Sequence, residues 1–223
     1  MMTQIPLLLS DPHNFDLLFP NGIMYDYVML HDLRRSLSAF TLSLWFRTAD
    51  RTMSDPTLLS YATATNINSI LLINTANLRV GLDGQETVTR VALNDGRWHQ
   101  VVYTWSSDAG KWRVFIDGWI REFGSLKKGM VISQNGTLVL GQQNTASGSF
   151  DPKKSFVGQI SRVNLWDRDV SPNYLSMLHR NPNPGIHGNI LRWDESWLAG
   201  IRGNVKVIRP STCEPIPKDY RPW

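Results

Sequence analysis

WHQVVYTWSSDAGKWRVFID, residues 98–117, decides the fold. Two runs rich in β-branched and aromatic residues, 98–105 and 111–117, flank SSDAG, whose Ser, Asp and Gly favour a tight turn. The stretch reads as a β-hairpin. In its second arm Val114 and Ile116 fall on one face and Arg113, Phe115 and Asp117 on the other, the two-residue period of a strand. Similar runs recur on both sides: FTLSLWFRT (40–48), SILLI (69–73), LRVGL (78–82), TLVLG (137–141) and QISRVNLW (159–166). Between the runs stand Asn21-Gly22, Asp83-Gly84, Asp95-Gly96, Asp117-Gly118 and Asn135-Gly136, which supply the positive φ angles that hairpin turns need.

Short strands with closely spaced turns imply an all-β, two-sheet antiparallel jelly-roll sandwich. One helix interrupts the pattern. Ser171 is placed to cap it, Pro172 occupies its first turn, and Leu175 and Leu178 face the body of the protein. The following RNPNPG ends it. The chain divides into an N-terminal extension (1–14), a sandwich domain (15–209) and a proline-rich tail or linker (210–223). Nine tryptophans among 223 residues are expected between the two sheets, where large flat side chains contribute most to a core.

Net charge is +4. The basic pairs Arg34–Arg35, Lys127–Lys128 and Lys153–Lys154 are scattered, so solvated surface is expected rather than a nucleic-acid stripe. No stretch has the length and apolarity of a membrane span. No nucleophile elbow, phosphate loop, dinucleotide fingerprint or zinc-protease motif occurs. The five histidines lack zinc-ligand spacing. Asp194-Glu195 are adjacent, and as strand residues would point to opposite faces, so they make no paired acid and base. His99 reads as a structural histidine beside Trp98. Cys213 is the single cysteine, which excludes an intrachain disulfide. It suits either a reducing compartment or a chain in which it has an outside partner. Asn135-Gly136-Thr137 is an N-glycosylation sequon in a turn.

The order and spacing of several segments carry more. FTLSLWFRT, LLSYAT (58–63), NDGRWHQVVYTWSS (94–107), SLKKG (125–129), LVLGQ (138–142), SFVGQISRVNLWDRDVSP (155–172) and GNILRW (188–193) resemble the pentraxin domain over roughly residues 15–212. Long, neuronal and multidomain pentraxins are more similar than the short serum ones. The resemblance implies a concanavalin A or laminin G-like jelly roll with the helix on one face and a calcium-dependent ligand site on the other. It also implies ring-forming homo-oligomers and an extracellular or cell-surface setting within a larger protein. Members carry a disulfide between two strands, at positions that here read Ser43 and Val102. Cys213 falls near a terminal cysteine of the long members, so an interchain bond and a free thiol on an unstructured tail are both open.

The family's calcium ligands come from two loops. In the first, this chain has Asn66, Ile67 and Asn68. In the second, the family's acidic run becomes Gln143, Asn144 and Thr145. Asp151 survives as a carboxylate, and the next ligand position falls on or near Lys154. Calcium takes six to eight oxygens, several of them charged. The expectation is a degenerate site and no cofactor. Residual weak binding at Asn68, Gln143, Asn144 and Asp151 is the alternative. The ligand face, with Asn66, Asn68, Lys153 and Lys154, is then expected to meet a protein or glycan surface without calcium, with an anionic partner favoured by the two lysines. A purely structural oligomerising or spacing module is the competing reading.

Overall fold

The computed structural model describes residues 11–31, 33–144, 150–180 and 186–213. Among these, the first half of the chain forms strands β1 (Asp16–Phe19), β2 (Tyr27–His31), β3 (Ala39–Arg47), β4 (Thr57–Ala62), β5 (Ile70–Ile73), β6 (Arg79–Leu82) and β7 (Gln85–Val88). The second half adds β8 (Trp98–Ser106), β9 (Lys111–Ile116), β10 (Trp119–Ser125), β11 (Thr137–Leu140) and β12 (Gly158–Trp166). Helix α1 (Pro172–Arg180), β13 (Ile201–Arg202) and β14 (Lys206–Ile208) complete it.

The strands make two antiparallel seven-stranded sheets. One has the order β10-β9-β8-β3-β12-β1-β14, the other β13-β2-β11-β4-β5-β6-β7. The hairpin at 98–117 is β8–β9, with Val102 opposite Phe115 and Trp105 opposite Trp112. Asp117-Gly118 closes the next hairpin with φ of 51° and 79°, the two positive angles that a two-residue turn requires. The alternation of β3 explains the layering. Leu42, Leu44 and Phe46 enter the core between the sheets, where they meet Tyr61, Ile70, Leu72 and Leu138 of the other sheet. Thr41, Ser43 and Trp45 point to the outer face.

That outer face is covered by α1. Leu175 and Leu178 pack on Val102, Phe115 and Trp166, and His179 stacks on Trp45 with rings 5.5 Å apart and 5° from parallel. Ser171 caps the helix as its sequence requires, its carbonyl accepting from Leu175 N at 3.1 Å. The tryptophans do not all lie between the sheets. Trp105, Trp112, Trp193 and Trp197 do, whereas Trp45, Trp98 and Trp166 are buried on the outer face. Trp119 is 64% exposed. Trp223 lies outside the described residues.

The packed body also runs past residues 15 and 209. The buried Asp16 carboxylate accepts from Ser211 Oγ at 2.5 Å, Thr212 N at 2.7 Å and Thr212 Oγ1 at 2.9 Å. A buried carboxylate must collect donors to offset its desolvation, and the start of the expected linker supplies them. At the other terminus, the Nδ1 ring nitrogen of His13 lies 2.6 Å from the Trp193 carbonyl.

Candidate functional site

The two loops singled out in the sequence meet because β4, β5 and β11 are neighbours in one sheet. The β4–β5 connection brings Asn66 and Asn68, and the segment after β11 brings Gln142, Gln143 and Asn144. Asn68 and Gln143 face each other, with Gln143 Nε2 donating to Asn68 Oδ1 at 2.7 Å. Asn66 Oδ1 accepts from Asn68 N at 2.8 Å, and its amide donates to the Asp83 carboxylate. Lys127 Nζ donates to the other Asp83 oxygen at 2.8 Å. Asn144 is held by Thr137 O at 3.0 Å and Ser60 Oγ at 3.2 Å. Thr145 lies outside the described residues.

The rest of the second loop is fixed from below. Gln142 is fully buried, and its Nε2 donates to Ser155 Oγ at 2.7 Å and to the Asp151 carbonyl at 3.2 Å. The Asp151 side chain accepts from Lys153 N at 2.9 Å and so caps the short 3-10 turn Pro152–Lys154. A side-chain oxygen engaged in this way satisfies a backbone donor that would otherwise be orphaned. Lys153 is exposed, but Lys154 is not free: its ammonium donates to Asp55, which also receives Arg79. Burial alone would raise the Asp55 pKa, but hydrogen bonds and charge from Lys154 and Arg79 outweigh it and hold the carboxyl below its ordinary range. Among the described residues, Gln143 Oε1 is buried and meets no hydrogen-bond partner.

Residues 16–210 match the model of the Pentaxin family. The chain belongs to the Pentaxin family. This pentaxin is 38% identical over 214 residues to the "Sushi, von Willebrand factor type A, EGF and pentraxin domain-containing protein 1" of Rattus norvegicus, covering 93% of the chain and 6% of that protein. It is 31% identical over 196 residues to neuronal pentraxin-1 of Homo sapiens, covering 86% of the chain and 45% of the relative. The chain thus spans under half the length of both relatives. Its backbone superposes on the native heptameric SAP-like pentraxin from Limulus polyphemus with a TM-score of 0.72 at 20% identity, covering 89% of this chain and 95% of that one.

Within this pentaxin, Ser43 and Val102 are direct cross-strand partners of β3 and β8. Val102 lies in the apolar cluster beneath α1, and Ser43 Oγ receives Gln100 Nε2 at 3.4 Å. Cys213 is packed into the body of the domain rather than exposed on a tail. It is 3% exposed, packed with Trp45 and Trp98, and its Sγ accepts from Arg162 at 3.2 Å. Any interchain bond there would first require the 211–213 segment to leave Asp16. Native protein is therefore expected to react with a thiol reagent at least tenfold more slowly than unfolded protein; equal rates would mean that the segment is undocked in solution. Asn135 is exposed in its turn before β11, as a glycan acceptor must be.

Sequence reasoning missed the groups that neutralise this region. Asp83 stood in a recognised Asp-Gly turn and Lys127 in the SLKKG segment, yet no spacing rule links residues 44 apart. Asp55 and Arg79 gave no signal. Elsewhere, the reading of His99 as a structural residue gains a specific form. Its ring sits between Asp117 Oδ2 at 2.8 Å and Asp95 Oδ1 at 3.0 Å, so both nitrogens meet carboxylates.

Proposed function

We propose that this domain is a non-catalytic recognition module of an extracellular or cell-surface protein and that it binds its partner without calcium. The observation that carries this reading is the Asn68–Gln143 hydrogen bond: two amides that would have to turn their oxygens toward a cation are instead bonded to each other. Further support comes from charge. Asp151 is spent on its own 3-10 turn, and Asp83 and Asp55, the nearby acids, are neutralised by Lys127 and by Lys154 with Arg79. A calcium site needs several charged oxygens, and this donor set does not fit one. The partner surface is a protein or glycan. Lys153 favours an anionic partner, whereas the Lys154 charge is matched by Asp55.

One observation favours the second reading, a residual weak calcium site. Gln143 Oε1 is a buried oxygen without a donor, available to a cation if Asn68 Oδ1 released the Gln143 amide. A thermal melt of metal-stripped protein decides between the two. A ligand present at a hundredfold above its Kd adds about 2.7 kcal/mol to the folded state. Millimolar calcium is expected to leave the midpoint unchanged. A rise of several degrees would overturn the calcium-independent reading.

A further inference from the structure

Trp119, Ile120 and Phe123 are 64%, 49% and 71% exposed, and all three lie on β10. This strand ends one sheet, and among the described residues nothing pairs with its outer side. The other sheet ends are short or polar. β13 has two residues, β14 has three including Lys206, and β7 is the tetrapeptide QETV. β10 has seven residues, WIREFGS, with neither Lys nor Pro. A long apolar edge left open templates pairing with another chain, and natural edges are normally protected against it.

The sequence of β10 is complementary to itself. A β-bulge lies between Ile120 and Glu122, so Arg121 is the extra residue. Its effect on facing is decisive. Ile120 is opposite Phe115 and Phe123 is opposite Arg113; the Arg113 guanidinium lies 5.8 Å over the Phe115 ring, so all four share the helix-bearing face. Trp119 is opposite Ile116 and Gly124 is opposite Trp112, both of which belong to the core between the sheets. In an unbulged strand, residues three apart would point to opposite faces. Here Ile120 and Phe123 share one face.

We infer that β10 pairs antiparallel with β10 of a second copy of this chain, about a two-fold axis between Arg121 and Glu122. A two-fold axis perpendicular to a sheet preserves its faces, so only residues on the same face can lie opposite one another. The bulge meets that condition. It places Ile120 against Phe123 of the second copy and Trp119 opposite Gly124, whose own face the Trp112 ring already covers. Arg121, on which the Asp117 carboxylate of its own chain already acts, falls against Glu122 of the second copy, and the symmetry makes each contact twice. Bulges ordinarily discourage edge pairing; this one fixes the register. The result is one continuous fourteen-stranded sheet formed from two seven-stranded ones. Such a contact closes after two copies, unlike the head-to-tail contact of a ring.

Light scattering and sedimentation velocity on the whole chain over a range of concentrations test this. The wild type is expected to form a concentration-dependent dimer. Glu122→Arg sets two arginines against each other and is expected to weaken dimerisation at least tenfold; Arg121→Glu sets two glutamates together and does the same. Mixing the two variants restores opposite charges at every position, and the mixture is expected to dimerise. Thermal melts confirm that each variant is folded, and Phe123→Lys serves if Arg121→Glu is not. For register, Ile120→Cys mixed with Phe123→Cys is expected to cross-link faster than either alone. A monomer at all concentrations, or any oligomer indifferent to Glu122→Arg, would overturn the inference.

Discussion

Asp117→Ala is expected to cost about 3–5 kcal/mol of folding stability, the range seen when one partner of a buried charge pair is removed. Asp117 is 6% exposed and serves two groups at once. Its Oδ2 meets the Nδ1 ring nitrogen of His99 at 2.8 Å, and its Oδ1 accepts from Gln100 N at 2.8 Å. Truncation would leave a backbone donor and a buried imidazolium facing an apolar gap. It would also put alanine at a φ of 51°, which Asp and Asn tolerate better than alanine does. Asp117→Asn separates these effects. Asparagine keeps the turn and an acceptor for Gln100 N, and removes only the charge. The expected loss is smaller than that of Asp117→Ala by the share that the turn and the Gln100 N–H acceptor contribute, measured by urea unfolding at pH 6. Equal losses would mean that neither the turn geometry nor the Gln100 acceptor contributes and that the charge pair accounts for the whole cost.

The same site gives a pH dependence whose sign is fixed. Burial of His99 opposes its charge, but the hydrogen bond and charge of Asp117, and then those of Asp95, outweigh burial and raise its pKa above the ordinary 6.5. A histidine raised in the folded state stabilises the fold fully below its unfolded pKa, and that contribution fades as pH rises through the folded value. Stability should therefore decline from about pH 6.5 upward. Asp95 is lowered; burial pushes it up, and the Arg97 backbone N–H with His99 pulls it further down. Its contribution is present above the ordinary carboxylate range and is lost on acidification. Asp117→Asn should flatten the alkaline limb. A wild-type stability that stays level from pH 6 to 8.5 would sink this account.

The legible parts of the sequence were those where one physical signal acts alone. β3, β8 and β9 alternate, and their period shows directly in the residues; β12 was legible from its β-branched and aromatic content despite an irregularity between Ser161 and Asn164. α1 has a cap, a proline and two leucines three apart, and each acts where it was expected. β10 was not legible because its bulge breaks the period at Arg121, and β7 because all four of its residues are polar or lie on the surface. β13 and β14 are defined by the strands they join rather than by any pattern of their own. The candidate site was half legible. The resemblance to the family placed Asn68, Gln143 and Asp151 in two loops, but their present partners depend on contacts across the sheet. Cys213 shows the same limit. A proline-rich setting read as linker, yet the buried Asp16 carboxylate, 196 residues before Thr212, holds that segment down.

Ser43→Cys/Val102→Cys is expected to form a disulfide and to raise stability by about 2–3 kcal/mol. Residues 43 and 102 are register partners across β3 and β8. Directly opposed residues in an antiparallel pair have Cα atoms about 4.5–5.5 Å apart, inside the range a disulfide spans. The bond would close the chain between residues 43 and 102, and chain-entropy reasoning gives roughly 4 kcal/mol for a loop of that size. Two losses reduce the gain. Val102 gives up apolar contact beneath α1, and Ser43 gives up the 3.4 Å hydrogen bond from Gln100. Together these cost about 1–2 kcal/mol. For a domain of this size the net corresponds to a midpoint rise of roughly 5–10 °C in oxidised protein. The single variant Val102→Cys, and the double variant kept reduced, should melt slightly below wild type, because they carry the packing loss without the bond. An oxidised double variant that melts below its reduced form would mean that packing under the helix has moved these strands away from disulfide geometry. A rise of the expected size would mean that residues 43 and 102 hold a geometry that accepts a disulfide, with Val102 packing under α1 supplying part of the same stability in the wild type.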